Sequence, residues 1–295
     1  MAETTGPSST NVPTRLLVYG MAHADGTVEA AELFPVAEAC GLSADQVRSC
    51  LRRMVTEGLF EREGTGRAAR YRSTDAGHRA QATFMDRTRL AYTQDITGRG
   101  WDRHWHVVAF GVPEAKRASR DALRDRLVAL GGAAVHNGLY VSPHPWEAEV
   151  GALAADLGID ESVTLASTDE LSIGGEGDPR ALASKLWPLA DLAARYQRFV
   201  DAHAYVPDYL TSLRTRREHM ADEVFASGAL SVTVEFQAVF NDDPLLPPEL
   251  LPHPWPGRAA RDLLLKSRRL AVQLRTTGAR PTLFRAYDEV IESLT

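Results

Sequence analysis

Apolar and polar positions follow three different patterns along the chain. From Pro13 to about Gln94, apolar residues recur every three or four positions in several stretches, which predicts helices, and a glycine-containing pair of short strands follows the third of them. Short apolar runs typical of buried strands alternate with helical patterns over about 101–166, and amphipathic helical patterns dominate from about 178 onward. The sequence therefore predicts an α+β chain of more than one domain.

The segments between these regions have the composition of linkers. TGRG at 97–100 and GGEGDP at 174–179 are rich in glycine. The opening residues, MAETTGPSSTNV, contain neither a basic run nor an apolar run. These boundaries predict a disordered tail, a first domain with a trailing helix, a mixed middle domain and a mostly helical last domain, at residues 1–12, 13–95, 96–175 and 176–295.

The third predicted helix of the first domain has the features of a DNA-recognition helix. Ser43 follows a Gly41-Leu42 turn and can cap a helix that runs to about Glu57, where Gly58 stops it. A helix, a turn and a capped helix at this spacing are typical of a helix-turn-helix. Residues that would face outward from or flank the third helix are basic or hydrogen-bonding: Gln46, Arg48, Ser49, Arg52 and Arg53.

A pair of strands after this helix predicts the wing of a winged helix. Residues 59–63 and 69–73 have strand patterns, and the glycine-containing segment at 64–67 joins them. Ser43 and the outward face of the third helix would enter the major groove. The wing is expected to contact phosphate or the minor groove. The wing residues expected to make these contacts are Arg62, Arg67 and Arg70.

The distribution of charge agrees with this assignment. The whole chain carries a net charge of −6, which excludes a protein that coats nucleic acid with a uniformly basic surface. Residues 46–90 nevertheless contain ten arginines and five acids, whereas residues 25–45 contain five acids and neither lysine nor arginine. The alternative is that these arginines only solvate a helix face and an ordinary hairpin.

The middle region has the element order of a ferredoxin-like domain. A strand, a helix, two short strands, a helix and a last strand are predicted between about 106 and 166. Four histidines of this region raise the question of a metal site, but no cysteine or carboxylate accompanies them at ligand spacing. We therefore predict no metal, and solvent-facing or hydrogen-bonded side chains at His104, His106, His136 and His144.

The last region opens with a predicted helix from Pro179 to about Ala202. Trp187, Arg195 and Arg198 lie off or beside its apolar stripe. An aromatic ring with two guanidinium groups could bind the organic part and the phosphates of an acyl-CoA. The alternative is an ordinary bundle helix with a solvated edge.

Other classes of protein find little support in the sequence. The chain has two cysteines, no G-x-S-x-G motif and no spacing that assembles a nucleophile with its base, so we predict no enzyme activity. No apolar run approaches the roughly 20 residues that span a bilayer. We expect a cytoplasmic protein that needs no cofactor and makes no membrane contact.

Motifs in three regions resemble those of the PaaX family of bacterial transcriptional regulators. They are VRSCLRRM at 47–54, WDRHWHVVAFGVPE at 101–114 and, most specific, DPLLPPELLPHPWPGRAAR at 243–261. The resemblance implies a winged helix, a middle domain similar to CRISPR-associated small endoribonucleases and a helical last domain. It also implies a homodimeric repressor that binds double-stranded DNA at a pseudo-palindromic operator and is released by an aromatic acyl-CoA such as phenylacetyl-CoA.

Two positions bear on how far the resemblance extends. Arg48 and Arg53 match the family motif, whereas Arg52 stands where the family often has a small residue. Gly111 occupies the place where the similar endoribonucleases carry a metal-binding aspartate, so we expect no hydrolysis of nucleic acid. The alternatives are a regulator that responds to a different ligand or to none, and an enzyme that acts on a CoA thioester.

Overall fold

A computed structural model describes residues 13–23, 25–217 and 222–274, and the tail predicted at 1–12 lies outside this range. The described chain has helices and two antiparallel sheets, of three and four strands, which confirms the predicted α+β class. It divides into two compact units. The first contains the described residues up to Arg89, Arg198–Ala238 and those from Ala259 on, and the second contains Leu90–Gln197 and Val239–Arg258.

Three helices and a small sheet form the beginning of the first unit. Its elements are α1 (Thr14–Gly20), β1 (Thr27–Glu29), α2 (Ala30–Ala39), α3 (Ala44–Thr56), β2 (Phe60–Glu63), β3 (Arg70–Ser73) and the first part of α4 (Asp75–Thr97). The strand order is β1-β3-β2, and both pairs are antiparallel. The predicted α3 and the predicted hairpin are confirmed.

The pattern of apolar positions predicts a second helix over about Val28 to Ala39, but its first residues belong to strand β1. Thr27, Val28 and Glu29 instead pair with Arg72, Tyr71 and Arg70. The strand is only three residues long, and its partner lies more than 40 positions away in the sequence. Local periodicity therefore carries no signal for it, because a non-local pairing decides its conformation.

The core of the first unit joins α1, α2 and α3 to a helix from much later in the chain. Leu17, Leu33 and Val47 are fully buried in this core. Leu230 and Val234 of α10 (Asp222–Phe240) belong to the same core, and Leu230 is fully buried. Burying side chains of this size contributes about 1.5–3 kcal/mol each.

The four-stranded sheet belongs to the second unit. Its elements are β4 (Trp105–Phe110), α5 (Arg117–Ala129), β5 (Ala133–His136), β6 (Leu139–Ser142), α6 (Glu147–Asp156) and β7 (Val163–Thr168). This is the predicted order of strand, helix, two strands, helix and strand. The sheet order is β5-β6-β4-β7 with antiparallel pairs throughout, so the first strand lies between the third and the fourth.

The described residues after β7 form helices and connecting segments. The helices are α7 (Pro179–Leu186), α8 (Leu189–His203), α9 (Val206–Arg216), α10 and α11 (Pro256–Gln273). The prediction of a single helix from Pro179 to Ala202 is wrong, because the helix is interrupted at Trp187 and Pro188. Trp187 is extended, with φ −115° and ψ 145°, as expected before a proline, whose ring excludes the helical conformation from the preceding residue.

No helix in the described part of the chain is both long enough and apolar enough to cross a membrane.

Candidate DNA-binding surface

A capping box fixes the start of α3. The hydroxyl oxygen of Ser43 accepts a hydrogen bond from the backbone N–H of Gln46 at 3.2 Å, and Oε1 of Gln46 accepts one from the backbone N–H of Ser43 at 2.8 Å. The two side chains thereby satisfy N–H groups that lack a partner within the helix. Gln46 is an exposed residue and its cap uses only Oε1, so its amide N–H groups are left to donate to a DNA base.

One side of α3 is buried and the other is open to solvent. Val47, Leu51 and Met54 lie in the core, as the sequence predicts. Of the residues predicted to face outward, Arg48, Arg52 and Arg53 are exposed and Ser49 is half-buried. Because the apolar side packs on α1 and α2, the helix can present only this basic side to a partner.

Ion pairs divide the arginines of α3 and of the hairpin into two groups. Arg48 pairs with Asp45 at 2.8 Å, Arg70 with Glu29 at 2.9 Å, and Arg72 with Glu63 at 3.4 Å. Four other arginines are exposed and form no ion pair with any carboxylate of the described chain: Arg52 and Arg53 on α3, and Arg62 and Arg67 on the hairpin. Their positive charge is therefore not compensated locally.

The register of the hairpin explains why Arg70 differs from Arg62. Directly opposed residues of an antiparallel pair share a face of the sheet. Arg62 opposes the buried Tyr71, whereas Arg70 opposes Glu63 on one side and Glu29 on the other. The structure thus places Arg70 between two glutamates on the outer face of the sheet. Arg67 lies in the 3₁₀ turn that connects the two strands.

The three residues predicted to bind an acyl-CoA have different environments. Trp187 is only 5% exposed, its indole N–H donates to the carbonyl oxygen of Gly131 at 3.0 Å, and its ring stacks on Trp105 with centroids 6.3 Å apart. Arg195 forms an ion pair with Asp242 at 2.8 Å within the second unit. Arg198 is exposed and belongs to the first unit. Trp187 is thus a core residue here, and the effector assignment stays a prediction.

His106 is enclosed by two carboxylates that the sequence analysis did not identify. Its Nδ1 lies 2.6 Å from Oε1 of Glu147, and its Nε2 lies 3.1 Å from Oδ2 of Asp102. Burial raises the pKa of both carboxyl groups. For Asp102, hydrogen bonds from the backbone N–H of His104 and from His106 outweigh this effect. For Glu147, the hydrogen bond from His106 does so. Both pKa values therefore lie below the ordinary range.

The other histidines of this region are spread over separate positions. His144 lies 2.8 Å from the carbonyl oxygen of Leu245 through its Nε2, while His104 and His136 are exposed. The spacing of His104 and His106 predicts that they share one face of a strand, but His104 precedes β4 and only His106 lies within it. Among the described residues, no group of three or more histidines, cysteines, aspartates or glutamates could hold a metal ion.

The cysteines and Gly111 bear on the possibility of catalysis. Burial raises the pKa of the thiols of Cys40 and Cys50, which disfavours the nucleophilic thiolate. Gly111 follows β4 and donates its N–H to the carbonyl oxygen of Ser162 at 3.0 Å. A Cβ atom at this glycine would meet no heavy atom within 4 Å. The backbone at this position therefore does not require a glycine.

Three family profiles match successive parts of the chain. They describe a PaaX-like protein at residues 14–77, the central Cas2-like domain of PaaX protein at residues 98–183 and the C-terminal domain of PaaX-like protein at residues 187–280. The chain is also similar to the transcriptional repressor PaaX of Escherichia coli K12. The two are 25% identical over 265 residues, which cover 88% of this chain and 78% of the repressor.

A solved structure has a similar fold. It is an uncharacterized protein from Mycobacterium tuberculosis, with a TM-score of 0.53, 19% sequence identity and 95% of each chain covered. At this identity the similarity concerns the fold alone.

Proposed function

The chain belongs to the PaaX family of transcriptional regulators, and we propose that it is a homodimeric repressor that binds a pseudo-palindromic operator in double-stranded DNA. In this proposal residues 13–95 form the winged-helix domain, 96–175 the ferredoxin-like domain, and 176–295 a helical domain for the effector, for dimerisation or for both. A two-fold dimer presents two copies of α3, which accounts for the symmetry of the operator.

The observation that carries this proposal is the group of uncompensated arginines. Arg52, Arg53, Arg62 and Arg67 are exposed and unpaired within the described chain, although the protein as a whole is acidic. DNA phosphates attract such guanidinium groups and release counterions when they bind. A guanidinium already paired with a carboxylate, as in Arg72, gains less from a phosphate because it must first give up its partner.

We divide the surface between base reading and phosphate contact. The exposed side of α3 enters the major groove, where Ser43, Gln46, Arg48, Ser49, Arg52 and Arg53 reach base edges. Arg62 and Arg67 of the hairpin bind phosphate or enter the minor groove. Arg70 was predicted for the same role, and it must first leave Glu29 to take part.

An aromatic acyl-CoA such as phenylacetyl-CoA is our proposed effector, and genes of aromatic acid breakdown are the proposed targets. This part rests on family membership, with Trp187, Arg195 and Arg198 as the candidate residues. Because Trp187 is buried, ligand binding there would require its ring to move, and such a change could bias the equilibrium between DNA-binding and released states. The proposal includes no enzymatic step, no cofactor and a cytoplasmic location.

Fluorescence anisotropy tests both halves of the proposal. The full chain is titrated onto its own upstream intergenic DNA and onto scrambled DNA at fixed salt, with phenylacetyl-CoA, with free CoA and without ligand. We expect tighter binding to the upstream duplex and its release by the thioester alone. Release by neither ligand would contradict the effector, and equal binding to both duplexes would contradict sequence-specific repression.

A matched set of arginine variants tests which side chains touch DNA. Arg62→Ala and Arg67→Ala are expected to weaken binding to both duplexes and to lower the slope of log K against log salt by about 0.9 each. The control is Arg72→Ala, which removes the same charge from the hairpin at a position paired with Glu63. If the control changes the slope as much as the other two variants, local pairing does not decide which arginines bind DNA.

A further inference from the structure

Arg48 is held between two side chains that the sequence analysis did not assign to DNA binding. Its Cζ atom lies 5.6 Å from the centre of the Phe34 ring, which belongs to α2. Its Nη1 donates to Oδ1 of Asp45 at 2.8 Å, one turn earlier on α3. Phe34 itself packs against the core of the first unit. The guanidinium group therefore has an aromatic ring that packs against the core on one side and an exposed carboxylate acceptor on its own helix.

We propose that Phe34 and Asp45 are positioning residues that hold Arg48 ready to read a guanine, so that they determine base specificity without touching a base. The inference rests on the DNA-binding function proposed above. Guanidinium is planar and carries five N–H donors in a fixed fork. Asp45 occupies a donor on Nη1, and Phe34 interacts with the cationic group, which leaves Nε and Nη2 available for O6 and N7 of guanine.

The physical reason is preorganisation. A free arginine side chain loses much of its rotamer freedom when it forms a two-pronged contact with a base, and that loss weakens binding. An arginine that is already oriented loses less. The benefit applies only where a guanine occupies the expected position, because a phosphate can be reached from many side-chain conformations. Phe34 and Asp45 should therefore affect discrimination between sequences more than binding to DNA in general.

Arg52 offers a contrast on the same helix. It is exposed like Arg48, but it forms no ion pair with any carboxylate of the described chain. The proposal above places both arginines in the major groove, but only Arg48 has an aromatic ring and a carboxylate beside its guanidinium group. Exposure on α3 thus does not by itself orient an arginine, and the neighbours of Arg48 are specific to its position.

The experiment measures the ratio of affinities for the upstream duplex and the scrambled duplex, together with the salt slope. Phe34→Leu is expected to lower the ratio about 3- to 10-fold, with little change in the salt slope or in binding to scrambled DNA. Asp45→Asn is expected to lower the ratio as well, although it tightens binding to scrambled DNA because it removes a negative charge beside Arg48. Phe34→Tyr, which keeps an aromatic ring, is expected to retain the ratio. In the background of Arg48→Ala, Phe34→Leu is expected to have no further effect, because the side chain that it positions is gone.

The outcomes separate this inference from the proposed function. A wild-type protein that does not distinguish the two duplexes overturns both. A wild-type protein that distinguishes them, with an unchanged ratio in Phe34→Leu, overturns the positioning role alone. Tighter binding of Asp45→Asn to both duplexes with an unchanged ratio would also overturn it, because Asp45 would then merely compete with DNA for Arg48. Thermal unfolding of each variant checks that Phe34→Leu has not lost its folded first unit.

Discussion

The imidazole of His106 joins β4 to the first turn of α6, because its Nδ1 lies 2.6 Å from Oε1 of Glu147. Asp102, from the segment before β4, faces the other ring nitrogen. Asp102 lies 4 positions before His106, and Glu147 lies 41 positions after it. Folding of the second unit therefore brings Glu147 to the other two residues. Their charges have consequences for stability.

Replacing Glu147 by glutamine is expected to make stability less dependent on pH in the acid range. The pKa values of Glu147 and Asp102 are lower in the folded protein than their ordinary values of about 4. Their contribution is therefore fully present above that pH and is lost as the pH falls through the lowered values. We expect Glu147→Gln to cost about 1 kcal/mol at pH 7 and to flatten the dependence of Tm on pH below about 5.

Thermal unfolding of the full chain between pH 3 and pH 7 measures this effect. Glu149→Gln is the matched control, because Glu149 lies on the same turn of α6 and forms a surface ion pair with Arg126. An acid limb as steep in Glu147→Gln as in the wild type would show that His106 does not stabilise the charged carboxylate.

Removing the cap of α3 is expected to destabilise the first unit. Ser43→Ala leaves the backbone N–H of Gln46 without its acceptor, which costs about 0.5–2 kcal/mol. Ser43→Asp and Ser43→Asn keep an acceptor oxygen and should retain most of the stability. Urea unfolding followed by circular dichroism measures the difference. Equal loss in all three variants would indicate that the hydroxyl group acts in another way than by capping.

An aspartate at position 111 is expected to be tolerated without creating nuclease activity. A Cβ atom there meets no heavy atom within 4 Å, and a two-metal site needs more than one carboxylate. The comparison is Gly138→Asp. Gly138 has φ +75°, and a side chain would approach the carbonyl oxygen of Phe110 to 2.5 Å, so this variant should unfold more easily.

The Tm of Gly111→Asp and of Gly138→Asp is measured, together with their cleavage of DNA and RNA in the presence of Mg²⁺. Metal-dependent cleavage by Gly111→Asp would show that the rest of a nuclease site is present. A Tm of Gly138→Asp equal to that of Gly111→Asp would contradict the difference in space and backbone conformation between the two glycines.

Leu230 is expected to stabilise helices that lie far from it in the sequence. It is fully buried in the core that contains Leu17, Leu33 and Val47, so Leu230→Ala should cost about 2–5 kcal/mol. Hydrogen exchange should become faster in α1, α2 and α3 as well as in α10. Val128→Ala, at an exposed apolar side chain of α5, is the control. Faster exchange confined to α10 would show that the N-terminal helices do not depend on this contact.

Local features of this chain could be predicted because the responsible residues lie close together in the sequence. The cap of α3 involves residues 43 and 46, and the periodicity of α3 assigns Val47 and Leu51 to the core while leaving Arg52 outside. The order of strands and helices in the second unit follows in the same way, from short runs of apolar residues separated by turns. Among the site residues, the sequence alone identified the basic side of α3 and the arginines of the hairpin.

Tertiary structure decided which of these residues are free to act. Arg70 acquires Glu29 of β1 as its partner and Arg48 acquires the ring of Phe34 on α2. Arg52 and Arg67 form no ion pair with any carboxylate of the described chain, and these differences depend on which side chains the fold brings near. Burial of Trp187 against Trp105 and the place of Leu230 in the core of the first unit have the same origin. Periodicity and capping act over a few residues, whereas ion pairing and burial depend on contacts between segments distant in the chain.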